Sequence, residues 1–175
     1  MKSVGVATLD DAEEISRLVN SAYRGDSSRQ GWTTEADFLD GQRTDVNSIR
    51  AVIGDPKQKL LLLRDPALVG CVTIERMTHD GEPGCYLGML TIAPDAQDDG
   101  HGRFLLTAAE NYAREHWQAR FVTLSVIQLR ESLIAWYERR GYKKNGVTRP
   151  FPYGKPEFGM PKRNDLYFVM LEKNI

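Results

Sequence analysis

The segment Ala96-Gln97-Asp98-Asp99-Gly100-His101-Gly102-Arg103 stands between two runs of different periodicity. Ahead of it, "CYLGMLTIAP" (85–94) is apolar and strand-like. Behind it, Phe104, Leu105, Ala108, Ala109, Tyr112 and Ala113 recur three and four apart, which predicts a helix from about His101 to Trp117. Two glycines two apart at a strand-to-helix turn let backbone N–H groups converge, and a helix start adds unpaired N–H groups at the positive end of its dipole. The turn therefore reads either as an anion cradle or as a solvated helix cap. It is not a Walker loop, since no Gly-Lys-Ser/Thr follows. The dinucleotide fingerprint would put its third glycine where Leu105 stands.

Working outward, "LVGCVTIERM" (68–77) and "KLLLLR" (59–64) read as two more strands, joined by the turns "DPA" and "THDGEPG". Three strands with short connections predict an antiparallel meander. Gly88 interrupts the third strand, as a bulge or a close backbone approach would require. Further upstream, Val4–Ala7 is a short strand. Ile15, Leu18, Val19, Ala22 and Tyr23 line one face of a helix, "TTEADFLDG" (33–41) carries the signals of a short helix, and 44–56 repeats them. Downstream follow a strand (120–126), a helix "RESLIAWYERR" (130–140) stopped by Gly141, a further strand, a Pro/Gly-rich loop (148–165) and a closing strand (166–173). The expected fold is α/β, a mixed sheet flanked by helices, with the strand–helix–strand unit at its centre running parallel.

The 175 residues fit one domain, 1–175. A net charge of −1 offers no global attraction for nucleic acid, and the longest apolar run, Leu166–Leu171, is too short to span a membrane. "MKSVGVATLDDAEEI" carries acid where a leader would need an apolar stretch, so a cytoplasmic protein is expected. Cys71 and Cys85 fall in strand-like runs and read as buried thiols. No metal is expected, since His79, His101 and His116 have no ligand spacing.

"LGMLTIAPDAQDDGHGRFLLTAAENYA" resembles the coenzyme-A motif of the GNAT acetyltransferase superfamily, a splayed strand followed by Q/R-x-x-G-x-G/A, here Gln97-x-x-Gly100-x-Gly102. "LIAWYERRGY" (133–142) resembles the family's second signature, a helix ending in Tyr before a Gly-Phe/Tyr strand start. The resemblance implies the centrally splayed sheet of that fold over essentially the whole chain, with acetyl-CoA as co-substrate and a small-molecule or peptide amine as acceptor. Pyrophosphate is expected on Gln97, Asp98, Asp99, Gly100, His101, Gly102 and Arg103, and pantetheine along Leu90, Thr91 and Ile92. A backbone N–H near Leu90 would serve the developing oxyanion, and Tyr137 would be the general acid.

Two features depart from the family pattern. Arg130 replaces a customary Asn and is expected to contact coenzyme phosphates. Asp98 and Asp99 occupy positions that are often basic or small. For the general base the carboxylates Glu35, Asp40 and Glu75 are candidates. Trp32, Glu35 and Arg43 fall where the family places acceptor contacts, and Phe151, Tyr153 and Phe158 lie on the 148–165 loop, expected to flap over the acceptor mouth. The resemblance also leaves room for a homodimer through the final strand. A rival class is a non-catalytic acyl-CoA-binding module on the same fold, and a nucleotide-binding turn is a third reading.

Overall fold

The run Leu60-Leu61-Leu62-Leu63 organises the molecule, because all four side chains are buried but not on one side. Leu60 and Leu62 join Ile15, Val19, Ile49 and Cys71, whereas Leu61 and Leu63 join Val72, Leu105, Leu124 and Tyr137. A strand with period two that is apolar at every position must be covered on both faces. Each fully buried Leu contributes about 1.5–3 kcal/mol.

The computed structural model describes residues 1–175. In chain order the elements are β1 (Ser3–Val6), α1 (Ala12–Tyr23), α2 (Gly25–Ser28), β2 (Leu39–Asp40), α3 (Val46–Gly54), β3 (Gln58–Arg64), β4 (Leu68–His79) and β5 (Glu82–Ile92). There follow α4 (His101–Trp117), β6 (Phe121–Ile127), α5 (Glu131–Glu138), β7 (Lys143–Pro150), β8 (Met160–Pro161) and β9 (Tyr167–Asn174). Seven strands form one mixed sheet in the order β1-β3-β4-β5-β6-β9-β7. α1 and α3 supply the core of one face, and α4 and α5 that of the other. The meander β3-β4-β5 is antiparallel and β5 meets β6 in parallel, as expected from the sequence.

Three local expectations are corrected. Residues 33–41 form turns and β2 instead of a helix. Leu39 is wanted in a small core with Ile127, Phe151 and Leu166, and β2 pairs with β8 from the Pro/Gly loop. The one short helix of this region, α2, lies in "GDSSRQGW" (25–32), whose polar composition reads as a turn. The final strand β9 is not an edge, because β7 pairs along its outer side, so any edge pairing between copies would have to use β1 or β7.

The bulge signalled by Gly88 is real. Cys71 faces Thr91 while Thr73 faces Gly88, so β5 carries one extra residue. Met89 absorbs it in the left-handed region at φ 51°. Ahead of the bulge Cys85 and Leu87 face α4. Beyond it the even-numbered Leu90 and Ile92 do, as a one-residue insertion in a period-two strand demands. Gly141, at φ 94°, ends the turn after α5 and delivers Tyr142 into the core, where its hydroxyl donates to Glu110 at 2.9 Å.

Candidate active site

β5 and β6 stay in register through only three pairs, Gly84–Phe121, Cys85–Val122 and Tyr86–Thr123. Where the pairing stops, the Tyr86 and Ser125 hydroxyls share a hydrogen bond of 2.8 Å across the fork. Past the fork lies a cavity of about 370 Å³. Its walls are Leu90, Thr91 and Ile92 of β5, the turn before α4, and Arg130, Leu133, Trp136 and Tyr137 at and within α5.

At one end stands the glycine turn. A short 3-10 helix (Pro94–Asp99) leads to Gly100 at φ 73°, and α4 starts at the next residue. Of the residues singled out here, Gln97, Asp98, Gly100, Gly102 and Arg103 line the cavity. Asp99 and His101 do not. The Asp99 carbonyl accepts from Lys2 Nζ at 3.0 Å. The His101 ring is buried with Nδ1 3.0 Å from the Ala96 carbonyl and Nε2 3.1 Å from Asp65, whose carboxyl is held below its ordinary range by that hydrogen bond. Gln97 braces the turn. Its Oε1 accepts from Trp32 N at 2.9 Å and its Nε2 donates to the Ile92 carbonyl at 3.3 Å. Gly102 leaves room beside α5, since a Cβ there would stand 3.3 Å from the Trp136 ring.

The sequence reading missed the other half of this end. Arg139 and Arg140 line the cavity with Arg103, and the same three arginines continue into an adjoining hollow with Lys173. The Arg140 guanidinium carbon lies 3.8 Å from the centroid of the Trp136 ring. Its Nη1 donates to the Trp136 carbonyl at 2.8 Å, and its Nε is buried without a partner. Burial holds Arg140 below the usual arginine value. Two consecutive arginines in the last turn after Tyr137 were the available signal.

At the other end Tyr137 is 5% exposed, packed edge-on between Trp136 and Tyr142. Burial pushes its phenol well above the ordinary value. Leu90 has no registered partner in β4 or β6, and its carbonyl accepts the Tyr23 hydroxyl at 3.0 Å. Tyr23, which no sequence signal marked beyond its helical face, lines the cavity. Arg43 and Arg130 both lie over its ring, at 5.4 and 5.7 Å. Trp32 lines the cavity too, tilted against Trp136 at 6.4 Å.

The carboxylates nominated as base are elsewhere or engaged. Glu35 places Oε1 2.6 Å from Arg24 Nη1 and Oε2 2.9 Å from Arg130 Nη1. Burial alone would raise its carboxyl, but Arg130 and Arg24 overcome that and hold it below the ordinary range. A carboxylate held so is an ion-pair anchor and a poor proton acceptor, and Arg130 is correspondingly spent on Glu35 and on Thr33 Oγ1 at 2.7 Å. Asp40 pairs with Lys162 at 3.3 Å, and Glu75 sits in β4 opposite Tyr86; neither lines the cavity. Phe151 is also corrected. It is 5% exposed in the Leu39–Ile127–Leu166 cluster and does not reach the cavity. The 148–165 loop is pinned to residues 36–40 by β8, by Lys162 N–H to the Phe38 carbonyl and by Lys162 Nζ to the Ala36 carbonyl. Cys71 and Cys85 are buried, and burial pushes each thiol up to about 12, so neither is a ready nucleophile. No helix is long and apolar enough to cross a membrane.

A family model described as the acetyltransferase (GNAT) family matches residues 11–142. Solved structures align with nearly the whole chain at low identity. A ribosomal-protein-alanine N-acetyltransferase from Brucella melitensis is 18% identical, with 99% of each chain covered and a TM-score of 0.72. An N-acetyltransferase from Staphylococcus aureus Mu50 is 14% identical, with 99% of this chain and 97% of that chain covered and a TM-score of 0.67. A Salmonella typhimurium protein solved with its cofactor acetyl-CoA is 15% identical, with 99% and 93% covered and a TM-score of 0.70. At these identities the likeness is one of fold. No curated protein matches the chain.

Proposed function

Because the chain belongs to the GNAT acetyltransferase family, we propose that it transfers an acetyl group from acetyl-CoA to a primary amine of a small molecule or peptide, by direct attack with both bound. The observation that carries the reading is the cavity at the β5–β6 fork, with a glycine turn and three arginines at one end and Tyr137 at the other. The residues present suit the coenzyme. Gly102 keeps a cradle that a Cβ would crowd against Trp136, Arg140 Nε is an orphaned buried donor, and the unpaired edge of β5 beyond Tyr86 is free to bond an extended chain. Arg103, Arg139 and Arg140 would meet its phosphates, as would the backbone N–H groups that open α4.

Bound acetyl-CoA supplies an activated acyl group on a thiolate leaving group. Tyr137 keeps its proton throughout the neutral range and holds it at the hydroxyl for the departing sulfur. The Leu90 N–H stands at the bulge, where Leu90 has no registered partner, and serves the acyl oxygen as charge develops. Asp98 is the only acid lining the cavity and belongs to the turn, so the proton lost by the amine leaves through water. With both thiols buried, direct transfer is favoured over an acyl-enzyme.

Calorimetry with acetyl-CoA and a thiol-release assay over a broad amine library test the proposal. Saturable binding and thiol release are expected, with kcat reduced about 100-fold or more in Tyr137→Phe. Absence of binding overturns it. Binding without turnover over the whole library supports the non-catalytic alternative, and an unchanged kcat in Tyr137→Phe removes that residue as the acid.

A further inference from the structure

Around Tyr23, which lines the cavity, stand three arginines and one carboxylate; Arg130 lines the cavity itself, and Arg24, Arg43 and Glu35 lie next to its wall. Arg24 and Arg130 have side chains only 4% and 8% exposed. Their shared counter-ion is Glu35, with one oxygen on each. Nε of both arginines is buried without a partner. Arg43 forms no ion pair and no side-chain hydrogen bond, and its guanidinium leans on the Tyr23 ring beside Arg130. Three guanidiniums thus face one carboxylate. The two buried guanidiniums share Glu35, which leaves the half-buried Arg43 without a counter-ion of its own. The cavity also lacks the opposite feature, since its single acid, Asp98, stands at the phosphate end. A polyamine or aminoglycoside would bring further cations against arginines.

Resting on the acetyl-transfer reading above, we propose that the acceptor is an amine that also carries a carboxylate, an amino acid or an amino-acid-like metabolite. Its carboxylate pairs with Arg43 beside the Tyr23 ring, and its amine reaches the acyl group beside Leu90. Tyr23 links the two groups, since its ring lies under both guanidiniums and its hydroxyl bonds the Leu90 carbonyl. Arg43 is then a specificity residue with no part in the bond-making step.

The test measures thiol release by the full-length protein at saturating acetyl-CoA. The panel is the twenty amino acids, each beside its carboxamide and its decarboxylated amine, with spermidine, taurine and 2-aminoethylphosphonate. The best acceptor is expected to be a free carboxylate, with kcat/KM about 10- to 100-fold above that of its carboxamide. In Arg43→Gln that ratio should fall to about threefold or less, through KM and not kcat, with acetyl-CoA affinity by calorimetry retained. Arg43→Lys should keep part of the preference, and serves in place of the glutamine variant if that one does not fold. A carboxamide, decarboxylated amine or spermidine equal to the best carboxylate overturns the proposal, as does a preference that survives Arg43→Gln. Taurine or the phosphonate in first place overturns the carboxylate assignment. Release with none of the amines removes the acetyl-transfer reading itself, an outcome distinct from a wrong acceptor class.

Discussion

Glu35 has both oxygens occupied by arginines from different parts of the chain, Arg24 at the end of α1 and Arg130 at the start of α5. Removing one member of such a buried group leaves the others uncompensated, at a cost of about 3–5 kcal/mol. Glu35→Ala should therefore lower the urea midpoint by a corresponding margin, whereas Asp37→Ala, at an exposed ion pair with Arg29, should stay within about 1 kcal/mol of the parent. The pH dependence follows from the direction of the shift. The folded carboxyl titrates below its ordinary value of 4.5, so its contribution is complete above that value and is lost as pH falls through the lower folded one. Acid titration followed by circular dichroism should show Glu35→Gln losing part of the acid-range slope. The sequence marked Glu35, Arg130 and Arg43 one by one. Their grouping was illegible, because residues 95 apart meet only through the sheet. Tyr23 and Arg24 carried no motif at all.

At the scale of elements, the turn before α4 and the bulge in β5 both set the direction of backbone groups, by different means. Gly100 has open space for a side chain but sits at φ 73°, whereas Gly102 has ordinary helical backbone and little space toward Trp136. The two glycines should therefore fail differently. Gly100→Val should cost about 1–3 kcal/mol of stability through backbone strain. Gly102→Val should crowd Trp136 without backbone strain and weaken acetyl-CoA at least about 10-fold while the protein still melts cooperatively, because the added methyls occupy the cradle. Calorimetry and thermal melts on both variants separate the effects, and full coenzyme affinity in Gly102→Val would show that the turn is only a cap. α4 and the strands of the meander, with their strong periodicity, were legible within two or three residues. Residues 33–41 were not, because the pull of Leu39 into the Phe151 cluster and the pairing of β2 with β8 override a local helical preference. The Gly88 signal pointed to the bulge, but Met89, a residue with no turn propensity, takes the left-handed conformation.

For the whole molecule, the order of the seven sheet strands and of α1, α3, α4 and α5 along the chain was readable from patterning, whereas the position of β9 inside the sheet was not, since β7 could as well have left it at the edge. The sheet consists of an antiparallel half, β1-β3-β4-β5, and a second antiparallel half, β6-β9-β7, meeting through three residue pairs and one tyrosine–serine bond. So slender a joint makes the chain a candidate for division into a two-piece sensor. Gln118 is exposed at the end of α4, immediately before the second half. Fragments 1–118 and 119–175 should each keep their own strand pairing and recombine through the shared apolar core. A ligand lying in the fork touches both pieces, and at about 100 times its dissociation constant it would favour the joined state by about 2.7 kcal/mol. Fused to the halves of a fluorescent reporter, the fragments should light up with acetyl-CoA and stay dark with the Gly102→Val piece, turning a weak seam in a sheet into a gauge of coenzyme concentration.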